Sequence, residues 1–462
     1  MKLESLDPAL PQALAYYHEL LAGSHLDSTV AAVAAVTDQQ SDPDSARQIC
    51  HVLRPRIITK AQQHAVNAAA MAVFGALKHL QARMLSDDSL LAALPAEAGY
   101  LDLIRHTATA PSGVMGRLDA FAGAAGDINF MEFNPNPGGA FYFDMMAEAF
   151  EQSPIMQEFQ RRYPCESHRL SARMPSAMAT SYARHGGQGV PRIALVFGDG
   201  EPGADGAPAS HQFEQSLEGQ RLVGMLSKLG IPHVVATPAD FVYSARDGLS
   251  ARGQGVDAVF VENWRAWLGQ PASHPLFVAV RERKAWLMNS VADKILLGNK
   301  AMFALLSDPA YTSFLPADLR AAVDRHLPWT RLFKPAMSTF HGERVDLLAL
   351  VADNKDRFVL KPADGWGGAQ VVLGSDCSEQ EWQSTLQTAL QQPFVVQEKI
   401  ASTVESFPLM EAGALAFHDH VVDLNPYIWS DSTPYGMGAR AARSAVTNFK
   451  QGASLLPVFV LR

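Results

Sequence analysis

Two runs of alternating apolar residues around a glycine-bearing turn form the most constrained part of this chain. Residues 116–139 read GRLDAFAGAAGDINFMEFNPNPGG. LDAF and INFMEFN alternate as strands do, and Gly123 and Gly126-Asp127 supply turn chemistry between them, so the segment predicts a β-hairpin. The apolar positions Ile128, Phe130 and Phe133 break their alternation at Glu132. Asp119 and Glu132, thirteen positions apart, fall on adjacent antiparallel strands, where both carboxylates can share one face. With Asn134 they make the hard oxygen set that suits Mg²⁺, and Arg117 can reach a phosphate that such a metal holds. A solvated hairpin with scattered charges would concentrate no such set on one face.

The composition is that of a folded protein. Hydrophobic residues make up 48% and charged residues 18%, below the roughly 25% charged of an average soluble protein, so compact structure is favoured over disorder. The 462 residues predict about three domains and need no disulfide or metal staple. A net charge of −9 would repel a nucleic-acid backbone. Cys50, Cys165 and Cys377 fit neither a disulfide framework nor a zinc site, which points to the cytoplasm. No apolar stretch is long enough for a membrane span, and the first residues have no signal-peptide core. Nucleic acid and membrane are therefore not expected partners.

Residues 10–103 are rich in Ala, Leu and Gln, 58–85 carries apolar residues at helical spacing, and Ser86-Asp87-Asp88 offers N-cap chemistry for another short helix. Residues 191–290 alternate strand (RIALVFGD), helix ending at Gly230, strands (HVVATP, DAVFVEN) and a further element near AWLMNS, the pattern of a small α/β domain with parallel strands. The last third carries a helix near 301–306, strands at RFVLKP, AQVVLG and FVVQEKI, and then hairpins.

Some motifs mislead. Gly198-Asp199-Gly200-Glu201-Pro202-Gly203 matches a dinucleotide fingerprint, but Asp199, Glu201 and Asp205 would repel a pyrophosphate and Pro202 lacks an N–H donor, so an acidic substrate-side loop is expected. His418-Asp419-His420 lies between apolar runs, where a hairpin turn is expected rather than a metal site. No Walker lysine and no G-x-S-x-G elbow is present. Lys361, between the strand RFVL and a loop with Gly365, Gly367 and Gly368, can place an ammonium beside phosphates while unhindered N–H groups close over them.

The R-x-D hairpin followed by E-x-N, with proline and glycine behind it, resembles that of the ATP-grasp ligases. Its position ahead of any nucleotide-binding lysine is similar to the circularly permuted branch, with glutathione synthetase and glutathionylspermidine synthetase. NSVADKILLGNK with Lys300, RFVLKPADGWGG with Lys361, and FVVQEKI with Gln397, Glu398, Lys399 and Ile400 resemble that branch's phosphate lysines, glycine loop and adenine-pairing strand, in the required order. Arg440 and Arg443 resemble a late arginine segment that approaches phosphate or substrate. The resemblance covers most of 116–462, leaving the helical start unexplained. Two departures are Asp364, one place nearer the lysine than the family's acid, and Trp366 in place of a glycine. Asp423-Leu424-Asn425-Pro426 is a rival metal motif at the non-permuted position, without an upstream R-x-D.

The resemblance implies an α/β (α+β), circularly permuted ATP-grasp fold. Its expected parts are a helical region (1–110), the metal hairpin with helices (111–190), a small substrate domain (191–290) and a nucleotide-binding region (291–462). It implies an ADP-forming carboxylate–amine ligase using ATP and Mg²⁺, with Asp119, Glu132 and Asn134 on the metal and Arg117 and Arg443 as catalytic cations. Lys300, Lys361, Gly365, Gly367, Gly368 and 397–400 would hold the nucleotide. An amino acid or small peptide is the expected substrate, and a homo-oligomer stays open. An ATP-binding module without turnover and a phosphotransferase that stops at phosphorylation are the alternatives.

Overall fold

The computed structural model describes residues 9–37, 49–107, 113–122, 127–196, 217–262, 264–364, 370–400, 404–430, 433–447 and 452–462. Its largest sheet has eight strands drawn from both ends of the chain. The main path runs Arg56–Thr59, Ser454–Leu461, Pro434–Ala442, Ala414–Trp429, Met115–Ala122, Ile128–Pro135. Val404–Glu411 pairs with Ala414–Trp429, and Cys165–Ser167 with Ser454–Leu461. Arg56–Thr59 runs parallel to Ser454–Leu461, and the other pairs are antiparallel.

Helices fill much of the first hundred residues, at Ala9–Ala22, Leu26–Thr37, Lys60–Met84 and Ala98–Thr107. Asp87 caps the short helix Asp88–Leu91 by accepting from the N–H groups of Ser89 and Leu90. The helical reading fails at the start of 58–85. Ile57, Ile58 and Thr59 are strand, and the helix begins at Lys60 because Thr59 and Gln62 cap each other's backbone N–H. Ile57 and Ile58 are buried and β-branched, which suits a sheet edge closed by the last strand.

The turn expected at His418-Asp419-His420 is also displaced. Ala412 and Gly413, with φ of 50° and 82°, make the two-residue loop that joins Val404–Glu411 to Ala414–Trp429. Two positive φ values match the right-handed twist of the flanking strands. Ala412 hides the signal, because an alanine seldom adopts that conformation. His418 and His420 therefore lie within the strand, opposite Phe407 and Glu405.

Within 191–290, Trp286–Leu287, Ala258–Val261, Ile193–Val196 and His233–Ala236 form a wholly parallel sheet in that order. The runs IALV and AVFV are buried throughout, as strands covered on both faces require. An antiparallel meander, Phe241–Ser244, Gly248–Ala251 and Gln254–Val256, interrupts the alternation. Its strands are too short to show a period.

A second four-stranded sheet, antiparallel, runs Thr330–Leu332, Phe394–Glu398, Phe358–Pro362, Val372–Leu373. Phe358, Leu360, Phe394 and Val396 enter a core with Trp382 and Leu386. The strand period of two then turns Val359, Lys361 and Gln397 to the other face, where a cleft opens. The three cysteines are free thiols. Among the described residues no helix is long and apolar enough to cross a membrane.

Candidate active site

The two strands of the hairpin form as the sequence predicts, as Met115–Ala122 and Ile128–Pro135, with the turn at 123–126 outside the described residues, and the broken alternation has a structural cause. Asp119 pairs with Glu132 but Ala120 pairs with Phe130, so Met131 is the extra residue of a β-bulge. The bulge restores phase. Leu118, Ala120, Phe130 and Phe133 are all buried in the core. Arg117 pairs with Asn134, and directly opposed residues share a face, so Arg117, Asp119, Glu132 and Asn134 all point the other way.

On that face lies a chain of alternating charge. Arg117 Nε donates to Asp119 Oδ1 at 2.6 Å and its Nη2 to Oδ2 at 3.0 Å. Arg440 Nη2 donates to Asp119 Oδ2 at 2.8 Å, and Arg440 Nε to Asp423 Oδ2 at 2.7 Å. Asn134 Nδ2 donates to Asp119 at 3.2 Å. Burial disfavours the Arg117 cation, but Asp119 and Tyr427 outweigh it and raise its pKa. Burial and the neighbouring Asp119 charge push Asp423 upward against the pull of Arg440.

Two lysines close the site from the second sheet and its approach. Lys300 Nζ lies 3.1 Å from Glu132 Oε2, and its backbone N–H donates to Ala363 O at 2.8 Å, tying it to the end of the lysine strand. Lys361 Nζ donates to Gln397 Oε1 at 2.7 Å, and Gln397 Nε2 to Thr330 Oγ1 at 3.0 Å. Burial lowers the Lys361 pKa to about 8, partly offset by Glu132 and reinforced by Lys300. Burial would raise Glu132, yet Lys300, Lys361 and Arg440 hold it down at about 2. A cleft of about 390 Å³ opens between the sheets. Asp119, Glu132, Lys300, Lys361, Arg440 and residues 397–400 line it.

The most informative comparison is with a glutathione synthetase-like effector from Globodera pallida in its apo form, at 12% identity and a TM-score of 0.59 over 94% of this chain and 97% of that one. The chain has the glutathione synthetase-like ATP-grasp fold. A candidate γ-glutamylcysteine synthetase from Methylobacillus flagellatus (14% identity, 83% and 88% covered, TM-score 0.40) is too distant to carry an argument. So is a RimK-domain ATP-grasp protein from Sphaerobacter thermophilus (14% identity, 58% and 90% covered, TM-score 0.29). No protein-family model matches the sequence, and no curated protein does.

Within this ATP-grasp fold some sequence-derived residues fall elsewhere. Arg443 is exposed and directs its charge toward His51 and His420, outside the cleft lining, whereas Arg440, three residues earlier, lines the cleft. Arg443 lies past the end of the strand at Ala442, where the alternation that aims Arg440 no longer sets direction. Asp423, the rival motif, lies beside the hairpin, since Ala414–Trp429 pairs with Met115–Ala122. Gly365, Trp366, Gly367, Gly368 and the 198–205 motif lie outside the described residues. Among the described residues no group of three or more His, Cys, Asp or Glu is set to hold a metal.

Thr447, Tyr427 and Glu218 escaped the sequence reading. Glu218 accepts the Gly139 N–H at 2.6 Å, and burial raises its pKa to about 7. Arg117 Nη1 and Tyr427 Oη both approach Gly138 O at 3.4 Å. The Gly138-Gly139 turn was the available signal, because Gly139 has φ of 98° and brings backbone close to side chains.

Proposed function

We propose that this protein is an ADP-forming carboxylate–amine ligase of the circularly permuted ATP-grasp type, acting on an amino acid or small peptide. The observation that carries the reading is the convergence of Lys300 and Lys361 on Glu132, from segments more than 150 residues away in sequence, at the wall of one cleft. Anionic phosphates are what two buried ammonium groups beside a carboxylate face can accept. The expected chain order, hairpin first and lysines later, is present.

The donor set fits Mg²⁺. Glu132 and Asn134 offer two hard oxygens on one face, as many as the protein supplies when phosphates and water complete the octahedron. Asp119 contributes differently, because both its oxygens already accept from arginines. Bound there, the metal would neutralise phosphate oxygens. Lys361, Lys300 and Arg440 hold the phosphate chain, Gln397 fixes the Lys361 ammonium, and Arg117 faces the charge that spreads during transfer. The γ-phosphoryl group passes to a substrate carboxylate with release of ADP. An amine then attacks the acyl phosphate, losing a proton as phosphate leaves.

The deciding experiment screens amino acids in pairs for ADP release and identifies products by mass spectrometry. An amide product is expected. A stable phosphorylated product would replace ligation by phosphotransfer, and no ADP with any pair would leave a binding module.

A further inference from the structure

We infer that Asp423, with Thr447, is a positioning device for Arg440 and not a metal ligand. This rests on the nucleotide reading of the cleft and adds to it the origin of the cleft's third cation.

Asp423 is 1% exposed, and both its oxygens accept from donors of this chain. Oδ1 accepts the backbone N–H of Arg440 at 2.7 Å. Oδ2 accepts Arg440 Nε at 2.7 Å and Thr447 Oγ1 at 2.7 Å. A metal would have to displace these donors, and neither the backbone N–H nor the guanidinium could ligate it in exchange. The carboxylate thus grips both the backbone and the guanidinium of one residue, closing a ring through the side chain of Arg440. That ring restricts the rotamers a long side chain would otherwise explore.

The restriction has a consequence for the cleft. Arg440 also reaches Asp119 through Nη2. Arg117 makes the fuller contact with Asp119, donating Nε and Nη2 to the two oxygens while its Nη1 approaches Gly138 O. With Nε held by Asp423, Arg440 gives Asp119 only Nη2, and the residue so fixed lines the cleft. Thr447 extends the tether. Ala445, Val446 and Thr447 line the same cleft, so the hydroxyl bond fixes that wall to the cation.

The test is calorimetry of a non-hydrolysable ATP analogue, with Mg²⁺ and with EDTA, on the wild type, Asp423→Asn, Arg440→Met, the double variant and Thr447→Val. Loss of a charge-assisted bond should weaken binding of Arg440→Met by roughly tenfold or more. Asp423→Asn should lose roughly fivefold to tenfold, by the same factor in Mg²⁺ and in EDTA. The double variant should match Arg440→Met within about twofold, because one residue acts through the other. Thr447→Val should lose about threefold, and nothing further in the Arg440→Met background.

Unchanged binding by Asp423→Asn overturns the proposal, as does a loss confined to Mg²⁺, which would make Asp423 a ligand, or losses that multiply in the double variant. Should Asp423→Asn fail to fold, Thr447→Val alone and with Arg440→Met decides by the same criterion. A wild type that binds no analogue sinks the nucleotide reading and this proposal together. A wild type that binds normally beside an unaffected Asp423→Asn sinks the proposal alone.

Discussion

Lys361 and Arg440 face one cleft from two sheets, and their charges are handled in opposite ways. Arg440 sits between two carboxylates, Asp119 and Asp423, and its pKa is raised despite burial. The hydrogen-bond partner of Lys361 is the neutral amide oxygen of Gln397, and its pKa is lowered to about 8 by burial. The large sheet therefore carries a self-compensated ionic chain, a scaffold complete before any ligand arrives. The smaller sheet carries a cation that Glu132, across the cleft, compensates only in part. Preorganisation and ligand demand are divided between two sheets.

Substitutions can break this contrast. The largest effect belongs to Lys361→Met, which should lower nucleotide affinity by roughly a hundredfold and abolish ADP formation. Its melting temperature should hold or rise, because an undercompensated buried charge is removed. Calorimetry with thermal unfolding checks both, and a destabilised variant that binds normally would reverse the contrast.

Arg117→Ala should reduce kcat by roughly a hundredfold with nucleotide affinity nearly unchanged. Unlike Lys361→Met it should also destabilise, by about 1–3 kcal/mol, since it strips donors from the buried Asp119. Glu132→Gln should raise the Mg²⁺ requirement by roughly tenfold as turnover falls. A magnesium titration separates these two, and rescue of the Arg117 variant instead of the Glu132 variant would exchange their roles.

pH gives a smaller effect. Phosphate binding favours the charged form of Lys361, which titrates at about 8 in the free protein. Nucleotide affinity should be level below pH about 7 and fall by up to roughly tenfold per unit above pH 8, with proton uptake on binding there. Lys361→Arg should flatten this decline, because a guanidinium stays charged. The smallest effect is expected at Arg443→Ala, with affinity and turnover within about twofold of wild type. A larger loss would return Arg443 to the site.

The hairpin was legible in the sequence because it is local: two alternating runs, a turn and paired functional residues all lie within 116–139. The parallel strands at Ile193–Val196 and Ala258–Val261 were legible as buried apolar runs. Other features depended on small local choices with weak signals, such as the Ala412-Gly413 turn and the bulge at Met131.

What the sequence by itself determined is thus the chemistry available: the hairpin donors, the lysines and the order in which they occur. The tertiary structure decided which of them meet. Arg440 faces the cleft while Arg443 does not, and Asp423 meets the Asp119 hairpin across some three hundred residues of chain. Spacing along a chain predicts a shared face within one element, where the backbone period sets direction. Between elements, register and packing set it, and those are properties of the whole fold.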